Sequence, residues 1–172
     1  MSVNMTKLLM DQTVEDVFNM VVEKPPSVKK DAVLKDAVDA IIGNSVSQRV
    51  YIVDGRGRLA GMITMESLLK QVGYRIGARK AGVTSFLGLM KDILHEDVEH
   101  FITSPLKITK ETKLVDALKL MVENRTNDLP VVDGDGVLIG ELNGLEILVA
   151  ARKLFKEKDE LERERTAGSK KK

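Results

Sequence analysis

The feature that most constrains this chain is one stretch written twice. Val50-Tyr51-Ile52-Val53-Asp54 runs through Gly55-Arg56-Gly57 into Arg58-Leu59-Ala60-Gly61-Met62-Ile63. Leu129-Pro130-Val131-Val132-Asp133 runs through Gly134-Asp135-Gly136 into Val137-Leu138-Ile139-Gly140-Glu141-Leu142. Each is a pair of short β-rich runs around a glycine-containing turn, the pattern of a β-hairpin. Asp54 and Asp133, like Gly61 and Gly140, stand 79 residues apart. Upstream the match continues at a spacing of 80, with Val28 against Ile108, Leu34 against Leu114, Asp36 against Asp116 and Ala37 against Ala117. A fixed internal period means two copies of one structural unit.

Each copy reads as β-α-β-β-α with a helical lead-in. In the first, Val14, Val17, Phe18, Val21 and Val22 fall at helical spacing until Pro25-Pro26 stops them. Ser27-Val28-Lys29 is a short strand. Asp31 is the expected N-cap of a helix whose apolar stripe is Val33, Leu34, Ala37, Val38, Ile41 and Ile42, ending at Gly43. After the hairpin a helix starts near Thr64 with Leu68 and Leu69 inward. The second copy repeats the order: Val98, Phe101 and Ile102 lead in, Pro105 stops them, Leu106-Lys107-Ile108 is the strand, and Val115, Leu118, Leu120, Met121 and Val122 belong to the helix. One such unit has more sheet than its two helices cover, so the two copies are expected to dock face to face and bury both sheets in one core.

The chain then divides into an N-terminal segment (1–13), a first copy (14–70), a connector (71–96), a second copy (97–151) and a charged extension (152–172). In the connector, Gly73, Gly77 and Gly82 interrupt the chain before an amphipathic helix built on Val83, Phe86, Leu87, Met90, Ile93 and Leu94, and Arg75, Arg79 and Lys80 make it basic. The last helix is expected to continue through Leu154, Phe155 and Leu161, with a loose tail from Gly168.

Composition removes several classes of function. The absence of cysteine excludes disulfides, thiolate nucleophiles and cysteine-based zinc sites. A net charge of +1 and 3% aromatic residues argue against a nucleic-acid partner. No apolar run reaches the length of roughly 20 residues that a membrane span requires, and Met1 to Lys7 has no signal-peptide layout, so the cytoplasm is the expected location. No nucleophile–base pair or phosphate loop is found, so no enzymatic activity, catalytic residue or cofactor is expected. His95 and His100 are five apart, not the four of a zinc-protease helix; Asp92, His95, Glu96 and Glu99 share a helix face, which reads as a solvated surface or a weak metal site.

The order strand, helix, hairpin with a Pro-Val-Val-Asp run, glycine and final helix, present twice over residues 14–70 and 97–151, resembles the cystathionine β-synthase (CBS) domain in its paired form. The resemblance implies an α+β module of two motifs packed sheet to sheet, a flat parallel or antiparallel homodimer, and an adenine nucleotide (AMP, ADP or ATP) or S-adenosylmethionine bound in the clefts between copies. In the family, occupancy is passed to an attached enzyme, channel or transporter. This sequence reads as carrying no catalytic domain, so the chain is expected to act alone or through a separate enzyme or transporter. The family signature after the hairpin is Gly-h-h-Ser/Thr-x-x-Asp, whose hydroxyl faces phosphate or ribose and whose acid holds the ribose hydroxyls.

By that resemblance Thr64 fits the hydroxyl position while Ser67 replaces the acid, and Glu146 replaces the acid while Asn143 takes the hydroxyl's place. Arg49, just before the second strand, suits a phosphate, whereas its counterpart Asp128 would repel one. Val28, Val50, Ile108 and Leu129 are either the adenine walls or simple core. Thr64 is equally a plain N-cap and Asn143-x-x-Glu146 equally a capping box. The alternative is a ligand-free module for dimerisation and interaction, with the C-terminal helix as its handle.

Overall fold

The structure is a computed structural model that describes residues 11–18, 24–44, 48–78 and 83–169. Residues 1–10 of the N-terminal segment, the end of the first lead-in at 19–23, Arg79, Lys80 and Gly82 of the connector, and the terminal lysines 170–172 lie outside the described residues. The first copy comprises β1 (Ser27–Lys29), α1 (Leu34–Ile42), β2 (Arg49–Val53), β3 (Leu59–Thr64) and α2 (Met65–Ala78). Helix α3 (Val83–Leu94) connects it to α4 (Leu114–Glu123), β4 (Asp128–Val132), β5 (Leu138–Asn143) and α5 (Gly144–Ser169). The α+β class and the repeated order are as the sequence implies.

In the first copy β1 runs parallel to β2, and β2 antiparallel to β3. In the second, β4 and β5 pair antiparallel, but the strand expected at 106–108 shrinks to one parallel bridge from Ile108 to Val131. Pro130 supplies the reason. At the matching position the Tyr51 N–H donates to the Pro26 carbonyl at 2.8 Å, and a proline has no N–H to give.

Both lead-ins are short 3-10 turns, Val14–Asp16 and Val98–Phe101, and each packs on the other copy. Val14 and Val17 sit with Ile108, Leu114, Ala117, Leu129, Val131 and Leu142, whereas Val98 and Phe101 sit with Leu34, Ala37, Val50, Ile52 and Ile63. The crossing is written into the helix starts. The Leu34 N–H donates to the Glu96 carbonyl at 2.8 Å and the Leu114 N–H to the Gln12 carbonyl at 3.0 Å. The cap of α1 is therefore Val33, with no side-chain bond, and not Asp31, because a backbone carbonyl from the opposite lead-in already takes the free donor.

The expected single core is instead two. Each lies between one sheet and its own helices, as the alternation along the strands shows. Val50, Ile52, Ile63, Leu129, Val131 and Leu142 turn toward the helices, leaving Arg49, Tyr51, Asp128, Pro130, Glu141 and Asn143 on the faces that meet. At one end the hairpin tips join: the Leu59 N–H donates to the Gly136 carbonyl at 2.9 Å and the Leu138 N–H to the Gly57 carbonyl at 3.0 Å. Partners and donors are each 79 residues apart, so the copies are related by a local two-fold. Gly57 and Gly136 make these turns with φ of 78° and 81°.

The helices differ from expectation where solvent, not periodicity, sets the inward face. Ile42 and Leu69, expected inward, are 73% and 62% exposed. Helix α2 runs through Gly73 and Gly77, and Arg75 near its end grips Glu96 with both nitrogens, one of them at 2.9 Å, beside the Phe101 ring. Helix α3 buries Leu89 and Ile93 and leaves Phe86 and Leu87 outward. Helix α5 continues past Gly168 to Ser169, so the expected loose tail is helical that far; its 26 residues span roughly 39 Å.

Candidate functional site

Where the copies meet away from the hairpin tips, the first residues of β2 and β4 face one another. Arg49 Nη2 lies 2.6 Å from Asp128 Oδ2, with side chains 12% and 8% exposed. Arg49 Nη1 donates to Thr126 Oγ1 at 3.1 Å and to the Asp128 carbonyl at 3.2 Å. Asn143 donates its side-chain amide to the other Asp128 carboxylate oxygen. Burial raises the Asp128 pKa above the ordinary aspartate value, against the opposing pull of the Arg49 charge and of the Arg49 and Asn143 hydrogen bonds. Further along the interface Tyr51 and Glu141 are fully buried. Burial first, and then the Glu141 charge, push the Tyr51 hydroxyl well above its usual pKa.

Both final helices open on a closed capping arrangement. Thr64 Oγ1 accepts from the Ser67 N–H at 3.0 Å, and Ser67 Oγ accepts from the Thr64 N–H at 3.0 Å. Glu146 Oε2 accepts from the Asn143 N–H at 2.9 Å, and Asn143 Oδ1 accepts from the Leu145 N–H at 2.8 Å. These satisfy the donors that a bare helix start leaves open.

Among the described residues, two of the clefts between the copies border the Arg49–Asp128 pair. The larger, about 680 Å³, is lined by Gln48 and Arg49 of the first copy and by Leu118, Val122, Arg125, Thr126, Asp128, Asn143 and Leu148 of the second, among others. The smaller, about 200 Å³, is lined by Met62 of the first copy with Ser104, Leu106, Thr126, Asp128, Leu129 and Pro130 of the second. Of the residues singled out in the sequence, Arg49 and Asn143 come together in the larger cleft and Leu129 touches the smaller. Val28, Val50, Thr64, Ser67, Ile108 and Glu146 line neither, and Val50, Ile108 and Leu129 belong to the two cores.

Sequence reading treated Arg49 and Asp128 as separate prospects and missed that they pair. The signal was present as opposite charges at equivalent positions. Arg125 at the rim of the larger cleft was also missed; its φ of 51° places it in the left-handed region, which no sequence pattern marked. The helix face with Asp92, His95, Glu96 and Glu99 gathers no metal-holding group of three or more among the described residues. Glu96 turns to Arg75 and Glu99 to Lys30 at 2.7 Å.

Comparison with known proteins agrees with this geometry. The CBS domain family matches residues 14–74 and 96–153. A CBS domain-containing protein from Thermotoga maritima superposes with a TM-score of 0.65 at 31% identity, over 81% of this chain and 93% of that one. CBSX2 solved in complex with AMP superposes with a TM-score of 0.64 at 26% identity, over 83% and 98%. The meiotically up-regulated gene 70 protein of Schizosaccharomyces pombe is 36% identical over 88 residues, 51% of this chain. The chain spans between 10% and 23% of the length of the curated relatives it matches. With both halves matched and the pair folded as its neighbours fold, the chain belongs to the CBS domain family as a tandem CBS protein.

Proposed function

We propose that this chain is a non-catalytic regulator that binds an adenine nucleotide in a cleft between its copies and passes that occupancy to a separate partner. The observation that carries the reading is the cleft of about 680 Å³ lined by both copies. Its size lies within the range of about 300–1,000 Å³ typical of small-molecule sites. Leu118, Val122, Leu145 and Leu148 give an apolar wall for a base, and Arg125 gives a cation at the rim for a phosphate. CBSX2, similar over most of its length, was solved with AMP, which supports the ligand class. A ligand touching both copies stabilises the arrangement in which both contacts exist and thereby shifts the population.

Titration calorimetry with AMP, ADP, ATP and S-adenosylmethionine tests this directly. Saturable heat from at least one is expected, and Arg125→Ala should weaken phosphate-bearing ligands more than adenosine. No heat from any of them at millimolar ligand removes the reading.

A second reading, a ligand-free dimerisation module, is favoured by a repeated apolar surface. Ile42 and its counterpart Val122 are 73% and 71% exposed; Leu69 and its counterpart Leu148 are 62% and 66% exposed. Each copy thus offers the same bare pair on its two helices, as a homodimer contact would require. Deleting residues 152–172 should abolish partner binding if the extension is the handle, and leave nucleotide affinity intact if the clefts do the work.

A further inference from the structure

Arg49 and Asp128 hold the same position in the two copies, 79 residues apart, and they carry opposite charges. Because the local two-fold brings equivalent strands together, each meets its own counterpart across the interface. The other buried polar match is also unsymmetrical. Tyr51 faces the Glu141 charge, whereas the symmetry-related contact is between Pro130 and Met62, which line the small cleft together.

We propose that this charge division makes the first copy accept the second copy and reject another first copy, so that the pair forms within one chain. If two first copies docked by the same two-fold, Arg49 would meet Arg49. If two second copies docked, Asp128 would meet Asp128 and the buried Glu141 would meet Pro130. Like charges out of water, or a buried carboxylate against an apolar ring, carry costs that the native pairing avoids. Stability alone does not account for the ion pair. Burial is the first cause raising the Asp128 pKa, against the pull of Arg49, so the pair carries a desolvation cost, and a buried ion pair is in general weak evidence for stability. What the pair contributes is the choice of partner. The hairpin-tip bonds do not supply that choice, since they join equivalent residues and suit any combination of copies.

The test uses full-length chains carrying Arg49→Asp or Asp128→Arg, refolded separately, refolded together, and compared with the chain carrying both changes. Each single reversal should lose the wild-type melting transition. The double reversal should regain it. Refolding the two single variants together should also regain it, through a complex containing both chains. There the carboxylate introduced at position 49 of one chain meets the guanidinium introduced at position 128 of the other, and the native Arg49–Asp128 match forms from the remaining halves. Native mass spectrometry with one chain tagged reads the mixed species. Recovery in the double variant without any mixed complex, or single variants as stable as wild type, overturns the proposal.

Should the reversed chains all fail to fold, Arg49→Met with Asp128→Leu keeps the question open to measurement. The chain has no cysteine, so a Val137→Cys probe reports cleanly on copy identity. In the native pairing residue 137 meets Arg58, and in a like-with-like pairing it meets residue 137 of another chain. The neutral pair should raise the yield of dimers linked through residue 137 after refolding and oxidation. An unchanged yield overturns the proposal.

Discussion

At the scale of single residues, Asp128 and Gly61 make the sharpest predictions. Desolvation holds the Asp128 pKa above the value it has in the unfolded chain, so between those two values the native state carries the extra proton. Taken by itself, this group therefore favours folding as pH falls through its folded pKa and disfavours it above. Carbon-detected NMR of the side-chain carboxyl should find it titrating above ordinary aspartates, and Arg49→Met should move it higher still. Gly61 is needed for space and not for backbone conformation. A Cβ there would lie 2.1 Å from Ile102 Cγ2 and 3.2 Å from the Thr103 carbonyl. Ile102 and Thr103 run along the β3 edge, where Met62 and Thr103 exchange bonds of 3.0 and 2.9 Å. Gly61→Ala should destabilise by about 1–3 kcal/mol, read by urea denaturation, with faster amide exchange at Thr103. Trimming Ile102 to Ala in the same chain should recover part of that loss.

At the scale of elements, the starts of α2 and α5 look alike in sequence and differ in consequence. Thr64 and Ser67 are half-buried and cap only each other's backbone. Asn143 and Glu146 are buried, and Asn143 also braces Asp128. Thr64→Ala should cost about 1 kcal/mol, as a lost N-cap does. Asn143→Ala should cost more, about 2–3 kcal/mol, because it strands buried polar groups on two sides. Denaturant melts of the two variants compare them directly; equal losses would mean the Asn143–Asp128 contact adds nothing. The starts of α1 and α4 follow another rule, since their first donors go to the opposite lead-in at Glu96 and Gln12. Local capping residues near them, Asp31 included, were a poor guide for that reason.

At the scale of the whole molecule, what matters is which surfaces are used up inside the pair and which are left. The sheet faces are consumed by the contact between copies, and the matched helix pairs with Ile42, Leu69, Val122 and Leu148 are not. If those helices carry a homodimer, Val122→Lys with Leu148→Lys should shift the chain to monomer in sedimentation without altering its melting transition at low concentration. A chain that stays dimeric after both changes would place the contact elsewhere. Among the described residues no helix is long and apolar enough to cross a membrane.

The sequence by itself determined the duplication, the order of elements, the hairpins and their glycine turns, and the family. The first three rest on local periodicity and on spacing along the chain, which a linear string records, and the family rests on the resemblance of the repeated motifs to a known pattern. Only the tertiary structure decided that the lead-ins cross to the opposite copy, that two cores replace one, and that Arg49 is spent on Asp128. Those depend on which faces a two-fold brings together. The alternation in β2, β4 and β5 does separate an apolar face from a polar one, but it does not say that the polar faces are the ones that meet. Both faces are buried here, one by helices and the other by its own counterpart, and burial of a charge is tolerated only once its partner is in place across the axis.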